Sequence, residues 1–130
     1  MSVIKNRLTH ADRIFNFLKK QKKPLTAYEI LELMRVEGIN AVTTVYRGLD
    51  KLNKKGLIHR IESLNSWTVC CGSHKNKIPV FEICNDCGDV KERLDQKLTD
   101  NIKKLSDKTG FRADNPVLEI HGLCGNCLTN

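Results

Sequence analysis

The chain has 130 residues, of which 40% are hydrophobic and 5% aromatic, and its formal net charge is +7. This length allows one domain or two very small ones. Two domains of half this size would be only marginally stable without a stabilising element such as a bound metal. No run of residues approaches the length that spans a membrane, and residues 1–7 do not open a secretory signal, so we expect a cytoplasmic protein.

The positive charge is concentrated in the first half of the sequence. Residues 1–60 contain 13 Lys or Arg against 5 Asp or Glu, whereas residues 61–130 contain 9 against 10. A basic segment joined to a nearly neutral one suggests that only the first half meets a polyanion such as DNA. Charge alone is equally compatible with a role in solubility.

Two helix starts are marked by capping boxes. Thr9 is followed three residues later by Asp12, and Thr26 is followed three residues later by Glu29. In this spacing, each side chain bonds the backbone N–H of the other residue, which predicts the first turn of a helix. Pro24 separates the two predicted helices.

A third predicted helix is apolar on one side and basic and hydroxyl-bearing on the other. Its apolar positions recur at steps of three and four: Val42, Val45, Leu49 and Leu52. Gly48 within it costs about 1 kcal/mol relative to alanine, so we expect a close packing contact there. The opposite side supplies the candidate DNA contacts that a helix in the major groove needs. These are Thr43, Thr44, Tyr46, Arg47 and Lys51. Such a side can equally be a solvated helix surface.

Strand-like runs follow the three helices. Leu57–Ile61 and Trp67–Cys71 read as a hairpin joined by residues 62–66. This order predicts a winged helix-turn-helix in residues 1–72. The polar residues 73–77 are a predicted hinge, and residues 78–130 form a second domain. It should contain strands at Ile78–Cys84 and Val117–His121, a short strand after Cys87, and an amphipathic helix between them. The predicted stripe of that helix is Leu94, Leu98, Ile102 and Leu105.

Four of the six cysteines form two Cys-x-x-Cys knuckles. Cys84 and Cys87 form the first, and Cys124 and Cys127 form the second, with 36 residues between the two knuckles. Two such turns present four thiolates to a tetrahedral zinc ion, whose chelation would stabilise a small domain. A redox pair is the alternative, but it usually begins a helix within a βαβ unit, which we do not predict here. A zinc ion held by four thiolates has no open position for water, so we do not expect an enzyme.

Several motifs resemble the ferric uptake regulator (Fur) family. They are Thr44-Val45-Tyr46-Arg47-Gly48-Leu49-Asp50, the Gly56–Ser63 segment, Cys84-x-x-Cys87-Gly88 and Gly122-Leu123-Cys124-x-x-Cys127. Within this family the zinc uptake regulator (Zur) branch is most similar, because of Ala27–Leu31, Leu64–Trp67 and the position of Cys70. The resemblance spans roughly residues 8–128.

This resemblance implies a fold, a function and a second zinc site. The fold is α+β: a winged helix-turn-helix joined to a small α/β dimerisation domain with the four-cysteine zinc site. The function is zinc-responsive repression of zinc uptake genes by a homodimer that binds A·T-rich inverted repeats. The regulatory zinc ligands would be His59, Cys70 and Glu92. The branch usually places a histidine where this chain has Lys77, so His74 or Cys71 is the candidate fourth ligand.

Three other functions are compatible with parts of the sequence. An iron-responsive member of the same family would favour nitrogen and oxygen ligands, whereas a thiolate with imidazole and carboxylate suits zinc. A thiol or peroxide switch at Cys70 or Cys71 has only the adjacency of these cysteines in its favour. A zinc-stabilised interaction module without DNA binding would leave the basic helix face unexplained.

Overall fold

The computed structural model describes residues 8–70, 76–114 and 116–129. The chain forms two compact units, residues 1–70 and residues 71–130. Most of the predicted hinge, residues 73–75, lies outside the described residues, so the division at residues 72 and 78 stays a prediction. None of the helices in the described ranges is long and apolar enough to span a lipid bilayer.

Both predicted capping boxes start helices in the first unit. Helix α1 spans His10–Leu18 and helix α2 spans Ala27–Met34. The Thr9 hydroxyl accepts from the Asp12 N–H at 3.1 Å, and the Asp12 carboxylate accepts from the Thr9 N–H at 3.0 Å. Thr26 and Glu29 exchange the same pair of bonds at 3.1 and 2.8 Å. Short side chains therefore satisfy backbone donors that the first turn of a helix leaves unpaired.

Helix α3 spans Val42–Lys54 and packs against both preceding helices. A single 3₁₀ turn at Arg35–Glu37 and Gly38 connects it to α2. Arg13 of α1 fixes this turn, since its Nη1 donates to the Glu37 carbonyl oxygen at 2.9 Å. On the side of α3 that faces α1 and α2, Val45, Leu49 and Leu52 are buried as predicted, whereas Val42 at the start of the helix is only half-buried. Gly48 is buried on the same side.

A small antiparallel sheet completes the first unit. Its strands are β1 at Leu25–Thr26, β2 at Ile58–Ile61 and β3 at Ser66–Val69, in the order β1-β3-β2. The predicted loop is one residue too long at its end, because Ser66 pairs with Thr26 and with Ile61. A 3₁₀ turn at Glu62–Leu64 joins β2 to β3. The order of three helices followed by a hairpin confirms the winged helix-turn-helix prediction.

The second unit is a three-stranded sheet with one long helix and one short one. Its elements in chain order are β4 at Val80–Cys84, β5 at Val90–Arg93, α4 at Gln96–Thr109, β6 at Leu118–Gly122 and α5 at Gly125–Leu128. Strand β4 is central, antiparallel to β5 and parallel to β6. Each of the two parallel strands runs directly into one of the cysteine knuckles, so both knuckles lie at the same end of the sheet.

The predicted apolar stripe of the long helix is only partly correct. Asp95 caps the helix by accepting from the Leu98 N–H at 2.9 Å, so Leu94 precedes the first turn. Leu105 is 63% exposed, and the buried residue of α4 is Thr99, at 0% exposure. The helix ends before Gly110, whose φ of +73° is in the left-handed region. A polar side chain thus occupies the most enclosed position, and its partner is a backbone donor in the segment that precedes β4.

Candidate metal centre and nucleic-acid interface

The parallel pairing of β4 and β6 brings the two cysteine knuckles together. Cys84 ends β4 and pairs with Gly122 at the end of β6, two residues before Cys124. The Asn85 N–H donates to the Gly122 carbonyl oxygen at 2.8 Å and extends this register into the first knuckle. The sulfur atoms of the tetrad, which consists of Cys84, Cys87, Cys124 and Cys127, lie within 4.8 Å of one another.

These distances fit a tetrahedral ion with four thiolate ligands. Sulfurs about 2.3 Å from a zinc ion at the centre of a tetrahedron lie about 3.8 Å apart. The Sγ atoms of Cys87 and Cys124, one from each knuckle, are 3.8 Å apart. The donor set itself is soft and tetrahedral, which is typical of structural zinc.

Backbone N–H groups stabilise negative charge on the first knuckle. The Cys124 N–H donates to the Cys84 Sγ at 3.3 Å. This bond and one from the Cys87 backbone lower the pKa of Cys84 to about 6. The side chains of Cys124 and Cys84 raise the pKa of Cys127 far above its usual range. Four thiolates therefore cannot all be charged at neutral pH unless a cation compensates them.

The knuckle turns differ from each other in backbone conformation. Gly88, which follows the first knuckle, has a φ of +77°, in the left-handed region that favours glycine. Gly125 of the second knuckle does not have a positive φ, because this residue begins helix α5. Within α5, the N–H groups of Cys127 and Leu128 both bond the Cys124 carbonyl oxygen at 3.0 Å. The short helix and the N–H···S bond were not predicted, since both arise only after the knuckles meet.

Two of the candidate regulatory ligands are neighbours on the wing. His59 lies on β2 opposite Thr68 of β3, and the Cys70 N–H continues the ladder by bonding the Leu57 carbonyl oxygen at 2.9 Å. Because Thr68 and Cys70 point to the same face of their strand, His59 and Cys70 are diagonal neighbours. A ring nitrogen of His59 and the Cys70 Sγ lie within 4.8 Å, and both residues are half-buried.

The remaining regulatory candidates belong to the second unit or lie outside the described residues. Glu92 is half-buried on β5, where it pairs with Phe81 of β4. His74 and Cys71, the alternative fourth ligands, lie outside the described residues. The assignment of these residues to one ion stays a prediction.

The predicted DNA-contacting side of α3 is accessible. Thr43, Arg47 and Lys51 are exposed, Tyr46 is 40% exposed, and Thr44 is half-buried. Arg47 forms no ion pair with any residue in the described part of the chain, in contrast to Lys54, which pairs with Asp50 at 3.1 Å. The apolar side of the helix is fixed in the core, so these side chains are presented on a rigid element.

Comparison with known proteins gives a consistent result. Residues 5–121 match the model of the Ferric uptake regulator family. The zinc uptake regulation protein of Escherichia coli (strain K12) is 34% identical over 117 residues, which are 88% of this chain and 68% of that protein.

Two solved structures are similar over nearly the whole chain. The structure of a zinc uptake regulator complexed with zinc and DNA is 33% identical, with a TM-score of 0.85 over 95% of this chain and 84% of that one. The crystal structure of holo XcZur is 32% identical, with a TM-score of 0.82 over 95% of this chain and 88% of that one.

Proposed function

The chain belongs to the ferric uptake regulator family, and from this we propose that it is a zinc-responsive repressor of zinc uptake genes that binds operator DNA as a homodimer. The observation that carries the proposal is the convergence of four cysteine sulfurs within 4.8 Å in a unit separate from an exposed basic helix. One unit is therefore suited to a metal and the other to a polyanion. We place the protein in the cytoplasm, where reducing conditions keep cysteines as thiols.

The first zinc ion of the proposal is structural. Cys84, Cys87, Cys124 and Cys127 would hold it, and it would supply the positive charge that lets their thiolates coexist. The tetrad ties the ends of β4 and β6 together, so the ion would stabilise the sheet on which dimerisation depends. The N–H donor of Cys124 fixes the orientation of one ligand in advance.

The second zinc ion is regulatory and gives the response to the metal. We assign His59, Cys70 and Glu92 to it, with His74 as the fourth ligand and Cys71 as the alternative. The neighbouring imidazole and thiol of His59 and Cys70 support zinc, because iron and manganese sensors favour nitrogen and oxygen ligands. The similarity to zinc uptake regulators also favours a response to zinc over a response to iron or peroxide. Zinc would act only through tighter binding to the DNA-competent state of the dimer.

The DNA contacts of the proposal lie on α3. Arg47 would bind a guanine edge or a phosphate, Tyr46 a thymine methyl or a phosphate, and Lys51 the phosphate backbone. Thr43 and Thr44 would add hydroxyl contacts. A homodimer presents two such helices, which fits inverted repeats; A·T-rich repeats are those expected for the family. The relative solved with zinc and DNA supports this mode of action.

The proposal is tested by zinc-dependent DNA selection. Random-sequence duplexes are selected on the full-length protein in excess zinc, and the selected duplex is used in gel retardation with zinc and with a chelator that spares the structural ion. We expect an inverted repeat and binding that falls at least about tenfold with the chelator. Equal binding in both conditions would remove the sensing function, and failure to select any duplex would remove the DNA partner.

A further inference from the structure

The one fully buried residue of helix α4 is a threonine that bonds the segment leading into β4. Thr99 is 0% exposed, and its Oγ1 accepts a hydrogen bond from the Ile78 N–H at 3.0 Å. Threonine hydroxyls inside helices usually bond a carbonyl of the preceding turn or face solvent. Here the hydroxyl instead bonds a residue 21 positions earlier in the sequence. Thr99 therefore connects α4 to the segment that precedes β4.

A second bond from the same side of α4 reaches the same segment. Lys103 lies one turn after Thr99, and its Nζ donates to the Asn76 carbonyl oxygen at 3.2 Å. Asn76 has a φ of +62°, in the left-handed region, so the chain turns sharply there. Ile78 is 5% exposed. Two side chains of α4 thus bond the backbone at residues 76 and 78. Residue 76 belongs to the predicted hinge, residues 73–77, and residue 78 follows it directly.

We propose that Thr99 is a positioning residue for the response to metal: it fixes the segment at residues 76–78, before β4, so that regulatory zinc selects one DNA-competent state. This inference rests on the proposed function. A ligand shifts an equilibrium only by its differential affinity for the competing states. If the segment at residues 76–78 came loose from α4, more chain would have to be ordered when zinc binds, and the entropic cost would rise.

The matched variants are Thr99→Val and Thr99→Ser. Valine keeps the shape but leaves the buried Ile78 N–H without its acceptor, whereas serine keeps the acceptor and loses a methyl group. The full-length protein is titrated with zinc at a fixed concentration of selected duplex. We expect T99V to lower the ratio of DNA affinity with zinc to affinity without it by roughly tenfold, and T99S to lower it less than about threefold.

Three further readouts separate positioning from a merely structural role. T99V should keep one chelator-resistant zinc per chain and remain dimeric, while hydrogen exchange at the Ile78 amide accelerates in T99V and not in T99S. If wild type responds to zinc and T99V and T99S respond equally, this inference is wrong. If wild type binds DNA without regard to zinc, the proposed function itself fails.

A surface variant keeps the test decisive if T99V loses zinc or the dimer. Lys103→Met removes the second contact from an exposed side chain, and Lys104→Met removes the same charge from the next residue, also exposed. We expect K103M, and not K104M, to lower the zinc-dependent affinity ratio by roughly threefold, which is less than T99V because the bond is exposed. Identical ratios for the two lysine variants, together with an unfolded T99V, would show that Thr99 is structural only and would overturn the proposal.

Discussion

A side chain at Gly48 of α3 would place its Cβ only 2.7 Å from the Cδ1 of Ile14 on α1. Carbon atoms at optimal contact are about 3.5–4.0 Å apart, so one of the two groups would have to move. Ile14 is fully buried, and its Cδ1 is the end of a flexible side chain, so this methyl group would have to turn within a close-packed core. Gly48 therefore lies where α3 packs closely against α1, which confirms the packing contact expected from the sequence.

Substitution of Gly48 by alanine is predicted to destabilise the first unit despite the better helix propensity of alanine. The propensity gain is about 1 kcal/mol, and overpacking of a core costs about 1–3 kcal/mol. We expect a net loss of about 1 kcal/mol in the free energy of unfolding. Fluorescence of Trp67, the single tryptophan and part of the same core, reports the denaturation.

A double-mutant cycle separates the contact from other effects of the substitution. Ile14→Val removes the Cδ1 that the new Cβ would meet, so G48A should cost about 1 kcal/mol less in the I14V background. If the two substitutions are additive, the close approach of α1 and α3 does not determine the cost.

The local structure of the first unit could be predicted because its signals are local. Thr9 with Asp12, and Thr26 with Glu29, satisfy backbone donors within one turn, and no other part of the chain is needed to recognise them. The errors lie in the sheet: strand β1 was not predicted, strand β2 begins one residue later than expected, and the predicted hairpin loop includes Ser66, which pairs with two strands at once. Strand ends depend on the partner strand, and the sequence of one strand does not contain that information.

The second unit was predicted less completely because its contacts are long-range. Knuckle spacing indicates that four cysteines share one ion, and their sulfurs do converge. The parallel pairing of β4 and β6 that brings them together was not predicted, since parallel register has no local turn signal. The burial of Thr99 in α4 was missed for a related reason: its partner, Ile78, lies 21 residues earlier in the chain.

Loss of one tetrad cysteine should remove the structural zinc. In the Cys84→Ser variant, we expect that the second unit no longer unfolds cooperatively and that the protein becomes monomeric. The three remaining thiolates would bind the ion weakly, so it would no longer hold the ends of β4 and β6 together. Size-exclusion chromatography with light scattering and zinc analysis give the readouts. Cys70→Ser, which removes a thiol outside the tetrad, is the control and should remain dimeric with one retained zinc. A dimeric, fully folded Cys84→Ser protein would contradict this role of the tetrad.

Loss of a regulatory ligand should leave the fold intact and abolish the response to zinc. His59→Ala and Cys70→Ser are predicted to keep the fold and the dimer but to bind the selected duplex with the same affinity in zinc and in chelator. Loss of a residue that binds the metal directly should lower metal affinity by more than the roughly 10–100-fold typical of residues that only hydrogen-bond a ligand. Full zinc dependence in Cys70→Ser would show that the regulatory site is elsewhere.

Arg47 is predicted to contribute directly to DNA affinity. Arg47→Ala should weaken binding of the selected duplex by about 1–3 kcal/mol if the side chain reads a base, or reduce the salt dependence by about one phosphate contact if it does not. Arg35→Ala is the control, since Arg35 is an exposed arginine of the same charge that pairs with Glu32 outside α3. Fluorescence anisotropy over a range of salt concentrations measures both quantities. Equal losses for the two variants would indicate a general charge effect and not a contact from α3.

X-ray absorption at the zinc edge tests the assignment of the structural zinc most directly. It is combined with a count of zinc ions per chain before and after treatment with a weak chelator. We predict two zinc ions per chain at first and one after treatment. The retained ion should have four sulfur neighbours at about 2.3 Å. A folded dimer without zinc, or a retained ion with nitrogen or oxygen neighbours, would contradict the assignment of Cys84, Cys87, Cys124 and Cys127 to a single structural zinc.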